Sequence, residues 1–272
     1  MIHADKSLGI RLEQAAMAIE SQYARAHAAL RPDLDIEVAM IADGVAIFAG
    51  IDSPISQATG FGLTRPIMDA DLEAIEDFYF RRKSTSKIIV CPLSDDSLFA
   101  ALNRRGYRLS EFENTVIRPL ELVPEPSHSN AIELRLIGAE DADVYAETVG
   151  VNFTADGILS PEMREMMAVI FGTTCGKSVL AKLNGKNAGG GSLLIHEGVA
   201  MLAGAGTLPP FRNQGVQAAL FDHRLRLAKQ AGCDLAVMGA KPGSTSQKNA
   251  ERKGFQLAYT KCVMVRDYDS PD

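Results

Sequence analysis

The stretch TLPPFRNQGVQAALFDHRLRLAKQAG, Thr207 to Gly232, places an arginine and a glycine directly before a long apolar period. Val216, Leu220 and Leu227, with Ala219 and Leu225 beside them, form a helical stripe that Gly232 closes. Pro209 and Pro210 end the preceding strand, because proline has no amide hydrogen to give to a ladder. The helix must therefore start near Gln214 and Gly215. At that end the first backbone N–H groups lack intrahelical acceptors, and the macrodipole adds roughly half a positive charge. Gly215 lets a ligand reach the backbone with no Cβ in the way, and Arg212 offers a fork that pairs with phosphate oxygens. A strand, a short loop and a glycine-bearing helix start make a phosphate cradle. Its donors are the N–H groups of Gln214, Gly215, Val216, Gln217 and Ala218.

The spelling is neither GxGxxG nor a GK[ST] phosphate loop. A rival exists upstream in QATGFG, Gln57 to Gly62. Internal repetition decides between them. NRRGYRLSEFENTVIRPL from Asn103 matches ERKGFQLAYTKCVMVRDY from Glu251, pairing Gly106 with Gly254, Tyr107 with Phe255, Leu109 with Leu257 and Arg118 with Arg266. The same spacing sets KIIVC (Lys87 to Cys91) against LAVMG (Leu235 to Gly239), and DLEAIEDFYFRR from Asp71 against ALFDHRLRLAKQ from Ala219. The chain thus reads as two copies of one α/β unit. In that register QATGFG faces AGTLPP, and the counterpart of Arg212–Gln217 is Thr64–Asp69, TRPIMD. This segment has no glycine, and Asp69 is the expected N-cap of the next helix, so its carboxylate would repel a pyrophosphate. The first copy is therefore expected to be a degenerate structural or substrate-shaping domain, with binding through Gly60 and Gly62 as the alternative.

PLELVPEPSHSN, rich in proline and without apolar period, reads as a linker over 121–130, between domains 1–120 and 131–272. In the second domain IELRLI is a strand, EDADVYAETVGVNF a helix, and SPEMREMMAVIF a helix with Ser160 as N-cap and Pro161 first. SVLAKL and KNAGGGSLLI flank Asn184-Gly185, a type I′ hairpin turn. GVAMLAGAGTL is the next strand. After the cradle helix come strand CDLAVMGA, a helix capped by Ser244 and Gln247, and a terminal strand pair around AYTKCVMVR. A net charge of −6 argues against nucleic acid as partner. No run approaches the roughly 20 apolar residues of a membrane span, and MIHADKSLGIRLEQ lacks a signal core. Cys91, Cys175, Cys233 and Cys262 are scattered without metal spacing, which suits reduced thiols in a cytoplasm and no metal.

Arg212, Gly215 and Gln217 together resemble the acyl-CoA motif of the GNAT N-acetyltransferase superfamily, [Q/R]-x-x-G-x-[G/A], with Gln217 departing at the last small position. SQKNAERKGFQLAYT is similar to the second conserved block of that superfamily, where a helix ends in Gly-Phe before a strand, here Gly254-Phe255. The order of elements from Ile132 to Arg266 resembles the family order too. The resemblance implies an α/β fold of two GNAT-like domains, each a mostly antiparallel central sheet flanked by helices. It implies an acyl-CoA-dependent N-acyltransferase that passes acetyl from acetyl-CoA to an amine by direct attack. The alternative is a non-catalytic acyl-CoA-binding or sensing protein. Neither the acceptor amine nor the oligomeric state is readable.

On the same resemblance, the strand end up to Thr207 and Leu208 offers backbone groups to pantetheine, as against ordinary sheet pairing. Asn249 is placed to reach the pantetheine arm or to be a solvated helix residue. Arg252, Lys248 and Arg224 are candidates for the 3′-phosphate or plain solvated charges. Where many relatives carry a catalytic tyrosine this chain has Ala250, and where some carry a strand carboxylate it has Met201. Tyr259 is the replacement acid or a half-buried strand aromatic. His196 and Glu197 are a base acting through water or a solvated turn. Gly189, Gly190 and Gly191 inside a strand imply close approach by an acyl group or substrate, or a bulge without ligand.

Overall fold

The computed structural model describes residues 3–121, 123, 131–154 and 156–268. In chain order the elements are α1 (Lys6–Leu30), β1 (Glu37–Ile41), β2 (Gly44–Phe48), β3 (Gln57–Thr59), α2 (Asp69–Phe80), β4 (Ser86–Val90), α3 (Asp96–Arg104), β5 (Arg108–Pro119), β6 (Ile132–Ile137), α4 (Ala142–Val149), α5 (Pro161–Val169), β7 (Gly176–Leu183), β8 (Lys186–His196), β9 (Val199–Thr207), α6 (Val216–Gln230), β10 (Leu235–Ala240), α7 (Thr245–Arg252) and β11 (Gln256–Arg266). The register read from sequence holds in the elements: α2 with α6, β4 with β10, α3 with α7 and β5 with β11 begin at matching places in the two copies. Most of the expected linker over 121–130 lies outside the described residues.

The chain divides into two compact units, residues 1–117 with 239–272, and residues 118–238. In the first unit the strand order is β1-β2-β3-β4-β11-β5. β11 runs antiparallel to both neighbours, from Cys262 opposite Val90 to Arg266 opposite Ser86, and from Gln256 opposite Ile117 to Val265 opposite Arg108. Compactness thus follows strand pairing rather than sequence halves: residues 239–272, expected within domain 131–272, complete the first unit's sheet. The terminal strand pair expected around AYTKCVMVR is one strand of 11 residues, bent by two register shifts. Asp69, expected as an N-cap, is the first residue of α2; Met68 caps, and the Asp71 carboxylate accepts its N–H at 2.9 Å.

Helices cover both faces of this sheet. Leu72, Ile75, Phe78 and Tyr79 of α2 pack with Leu98 and Leu102 of α3 on Ala46, Ile88 and Val90. On the other face, Ala24 of α1 packs on Val45 and Ile47 of β2, the alternate residues of the pleat. Helix α1 was not expected from sequence. Its 25 residues bury small and apolar side chains at Leu12, Ala15, Ala16 and Ile19, a helical spacing that was open to reading.

α1 also carries acid into the interior. Glu13, 1% exposed, accepts the Tyr259 hydroxyl at 2.7 Å and holds the buried Lys261 ammonium at 2.8 Å. Glu20 lies about two turns further on; its Oε2 is sealed from solvent and has no hydrogen-bond partner among the described residues. Burial pushes the Glu20 carboxyl up to about 7, against the pull of Lys261 and Gln57 and with the repulsion of Glu13 and Glu113. The folded chain then keeps a proton that the unfolded chain loses above pH 4.5. Stability therefore falls as pH rises from about 4.5 to about 7 and levels beyond. Glu20→Gln is expected to flatten this decline, by about 1.4 kcal/mol per pH unit at most. Urea midpoints across pH 5 to 8 check it; an unchanged slope would disprove the assignment.

The second unit has strand order β10-β9-β8-β7-β6, antiparallel from β6 to β9 and parallel between β9 and β10. Tyr145 and Val149 of α4 pack on Leu180, while Val216, Ala219 and Leu220 of α6 pack on Val179, Ala181 and Ala188. Successive residues of β7 thus face opposite helical layers. The mixed sheets flanked by helices are the expected fold class. Asn184 (φ 50°) and Gly185 (φ 75°) make the expected hairpin turn. Ser160 caps α5, with its Oγ accepting the Met163 N–H at 3.2 Å. Ser244 caps α7 likewise, but the Gln247 side chain accepts from Gly243 rather than closing back on Ser244.

Candidate functional site

β9 leads into the site. Its parallel register with β10 ends at Met201 opposite Val237, although β9 continues to Thr207. Within this unit Leu202 to Thr207 keep a strand partner on the β8 side alone. The β8–β9 register shifts between Gly190 and Ser192, and Gly204 takes φ 50°, so the strand kinks where its other edge becomes free.

After Thr207 the chain makes a single 3₁₀ turn over Pro209–Phe211 and enters α6. Gly215 is the N-cap, at φ 82° and ψ −5°. Glycine is required there because an L side chain in the left-handed region meets its own backbone. No side chain caps this end, and the first cap bond runs from the Ala219 N–H to the Gly215 carbonyl at 3.0 Å. The N–H groups of Val216, Gln217 and Ala218 precede that bond in the chain and thus belong to the uncapped first turn. Arg212 through Gly215 and Ala218 are exposed. The Arg212 Nε donates to the Thr207 carbonyl at 3.2 Å and one Nη donates to the Asn152 Oδ1 at 3.1 Å. The Gln214 amide donates to the Pro210 carbonyl, and the Thr207 hydroxyl donates to the Gln217 Oε1 at 3.3 Å. Among the described residues the exposed helix start has no side-chain cap, and it lies beside a tethered guanidinium; such an arrangement suits an anionic group.

Residues 150–255 match the model of the acetyltransferase (GNAT) family. The segment from Gly150 to Phe255 is thus similar to a GNAT domain. Its fold is similar to that of a GCN5-related N-acetyltransferase from Kribbella flavida, with a TM-score of 0.64 and 19% identity over 91% of this chain and 96% of that one. It is also similar to a tandem GNAT protein from the clavulanic acid biosynthesis pathway (TM-score 0.59, 13% identity, 94% of this chain and 96% of that one). A GCN5-related N-acetyltransferase from Sphaerobacter thermophilus gives 0.58 at 14% identity, over 95% and 92% of the two chains. No curated protein matches the chain in sequence.

The other sequence candidates fall in different places. The Leu208 N–H is bonded to the Ala188 carbonyl at 2.9 Å, and its own carbonyl accepts the Phe211 N–H, so Leu208 anchors the loop internally. Asn249 and Arg252 lie on α7 of the first unit, Asn249 half-buried and Arg252 exposed. Tyr259 is buried in β11 with its hydroxyl proton given to Glu13; burial and the neighbouring Glu13 carboxylate hold it far above the ordinary phenol range. Glu197 (φ 43°) sits exposed in the β8–β9 turn, at the opposite end of β9 from the cradle, about 30 Å along the strand. His196 Nε2 lies 4.0 Å from its carboxylate.

Two expectations are corrected. Arg224, a candidate for an exposed phosphate contact, is 1% exposed. It donates to the carbonyls of Leu220, Ser192 and Ala203 at 3.2, 3.1 and 3.4 Å, and burial brings its guanidinium down to about 10. The glycine run does meet a close approach, but by the protein itself. A Cβ on Gly191 would lie 2.9 Å from the Arg224 Cζ, and one on Gly190 would lie 2.8 Å from Val149. Arg224 thus satisfies carbonyls on both strands of the bulge, and Gly191 leaves room for its guanidinium. Sequence reasoning also missed Tyr145, whose hydroxyl pairs with Ser192 at 2.6 Å and donates to the Gly204 carbonyl at 2.8 Å on the kink. Its signal was faint, a single tyrosine on the buried stripe of a short helix.

The rival loop at Gly60–Thr64 has its own anion. The Asp43 carboxylate accepts the N–H groups of Gly62, Leu63 and Thr64 at 3.1, 3.0 and 2.9 Å and the Thr64 hydroxyl at 3.1 Å. In the shared register Gly62 to Thr64 align with Pro210 to Arg212, ahead of the start of α6, so the Asp43 carboxylate closes the rival loop rather than a counterpart of the cradle.

Proposed function

We propose that the chain is an acyl-CoA-dependent N-acyltransferase that passes an acetyl group from acetyl-CoA to the amine of a small molecule or peptide. The observation that carries this is the uncapped start of α6, with Gly215 left-handed as its N-cap, at the end of a strand whose edge is free beyond Met201. The N–H groups of Gln214 to Ala218 would hold the pyrophosphate, with Arg212 pairing a phosphate oxygen. The free edge of β9 would pair with the amides of pantetheine, as an added strand pairs with a sheet edge. Asn249 and Arg252 are assigned to the pantetheine arm and the 3′-phosphate on family resemblance. The neighbours described as N-acetyltransferases support the activity at the level of the family.

The chemistry is direct. The amine nitrogen bonds to the thioester carbonyl carbon, the C–S bond breaks, and the amine proton leaves as the thiolate is protonated. The chain holds alanine at position 250 and methionine at 201, so neither of the family's usual positions for a proton-carrying side chain has one. Of the sequence candidates for acid and base, Tyr259 has its proton engaged by the buried Glu13 and Glu197 lies at the opposite end of β9 from the cradle, so neither placement favours the role. The vacancy at both positions favours a second reading, an acyl-CoA-binding protein without transfer. Calorimetry with acetyl-CoA and thiol release across a panel of amines separate them. Binding with amine-dependent thiol release is the expected result; binding without release would leave the second reading, and no binding would overturn both.

A further inference from the structure

Asn152 follows α4 in a short 3₁₀ turn, outside the segments that the cradle's sequence marks. Both ends of its amide are engaged. Its Nδ2 donates to the Thr148 and Val149 carbonyls, both at 3.2 Å, at the C-terminal end of α4 where carbonyls lack helical partners. This leaves its Oδ1 to face Arg212, and it accepts a hydrogen bond from one Nη at 3.1 Å. With the Nε bond to the Thr207 carbonyl, Arg212 is fixed at two points, and its remaining N–H donors stay beside the uncapped turn of α6. Asn152 also lies against the end of β9. A Cβ on Gly206 would come 2.4 Å from its Nδ2 and 2.7 Å from its Cγ, so glycine at 206 is the condition for Asn152 to reach Arg212.

We infer that Asn152 is a positioning residue for the phosphates of the acyl donor: it holds the Arg212 guanidinium ready at the cradle, and Gly206 makes room for it. The inference rests on the acyl-CoA reading of the same site. A free arginine side chain loses rotamer entropy when it binds a phosphate, whereas a tethered one has already lost it. Asparagine suits the task where aspartate does not, because a carboxylate would face the carbonyls of α4 and neutralise the charge that Arg212 offers the ligand.

The experiment is a double-mutant cycle on the full chain, with CoA and S-acetyl-pantetheine as ligands. Asn152→Ala is expected to weaken CoA about fivefold, Arg212→Ala at least as much, and the pair no more than Arg212→Ala alone. Gly206→Ala should repeat the loss of Asn152→Ala. S-acetyl-pantetheine, which has no pyrophosphate, should bind the wild type and Asn152→Ala alike, and melting midpoints distinguish a folding defect from a lost tether. Phenylglyoxal should modify Arg212 several times faster in Asn152→Ala, a readout that needs no CoA. Additive losses, equal loss of S-acetyl-pantetheine or an unchanged modification rate would overturn the inference. If the wild type binds no CoA, the acyl-CoA reading itself fails, which the cycle shows before any variant is compared.

Discussion

Replacing Gly215 with glutamate is expected to weaken acetyl-CoA at least about a hundredfold, to the limit of calorimetric detection. Three effects act together. At φ 82° a side chain costs about 1–2 kcal/mol of backbone strain. The carboxylate then sits at the helix start, where it can take the open N–H groups for itself. What remains repels the pyrophosphate at short range in a partly desolvated site. Asp43 shows on a different loop that a carboxylate can take successive amides, those of Gly62, Leu63 and Thr64. Gly215→Ala brings the strain without the charge and should lose only about tenfold. Gly232 is the matched control. It has the same φ of 82° at the other end of α6, with nothing within 4 Å of an added Cβ. Gly232→Glu should bind normally; equal losses from both ends would show that helix damage, not the cradle, explains the first result.

The largest effect on stability is expected from Glu13→Ala. Glu13 is the acceptor for three buried donors, the Tyr259 hydroxyl at 2.7 Å, the Lys261 ammonium at 2.8 Å and the Thr59 hydroxyl at 3.5 Å. The pair lifts the Lys261 ammonium to about 12 in spite of its burial. Removing the carboxylate leaves a cation and a phenol inside the first unit with no comparable acceptor, at a cost of about 3–5 kcal/mol. That is a large share of the roughly 5–15 kcal/mol that holds an ordinary domain folded. Chemical denaturation of Glu13→Ala measures it directly. Glu13→Leu with Lys261→Met removes both charges and should regain most of the loss, because two apolar side chains leave nothing to neutralise. A loss below about 1 kcal/mol in the single variant would mean that water reaches Lys261 and that the cluster is not sealed.

Legibility followed the range of the forces involved. The start of α6, its glycine, and the caps at Ser160 and Ser244 are decided within a few residues, and each was readable in order. The common register of the two copies was readable because α2 and α6, or α3 and α7, repeat their apolar stripes at one spacing. The partner of a buried polar group was not. Nothing adjacent to Asp43 says that it will turn onto Gly62 and Leu63 some twenty positions away. Nothing adjacent to Gly191 announces the guanidinium of Arg224, whose charge read locally as solvated. Tyr259 was placed correctly in a strand, but its role depends on Glu13 at the far end of the chain. For the candidate site, the backbone donors were legible, while the side chains that hold Arg212 in place were not, since Asn152 lies 60 positions upstream.

The placement of β11 between β4 and β5 has a consequence for synthesis. A ribosome delivers the N-terminal residues first, and domains usually close as they emerge. Here β4 and β5 leave the exit tunnel with the place between them empty, and β11, the strand that fills it, is the last of the described strands to be made. Until then the early half carries two bare ladder edges, and closing the gap demands a pairing across most of the chain's length, the slowest kind to form. A ribosome stalled anywhere before position 256 would therefore hold a nascent chain that is stickier than the finished protein, and holding chaperones would be expected to meet this one early and release it late.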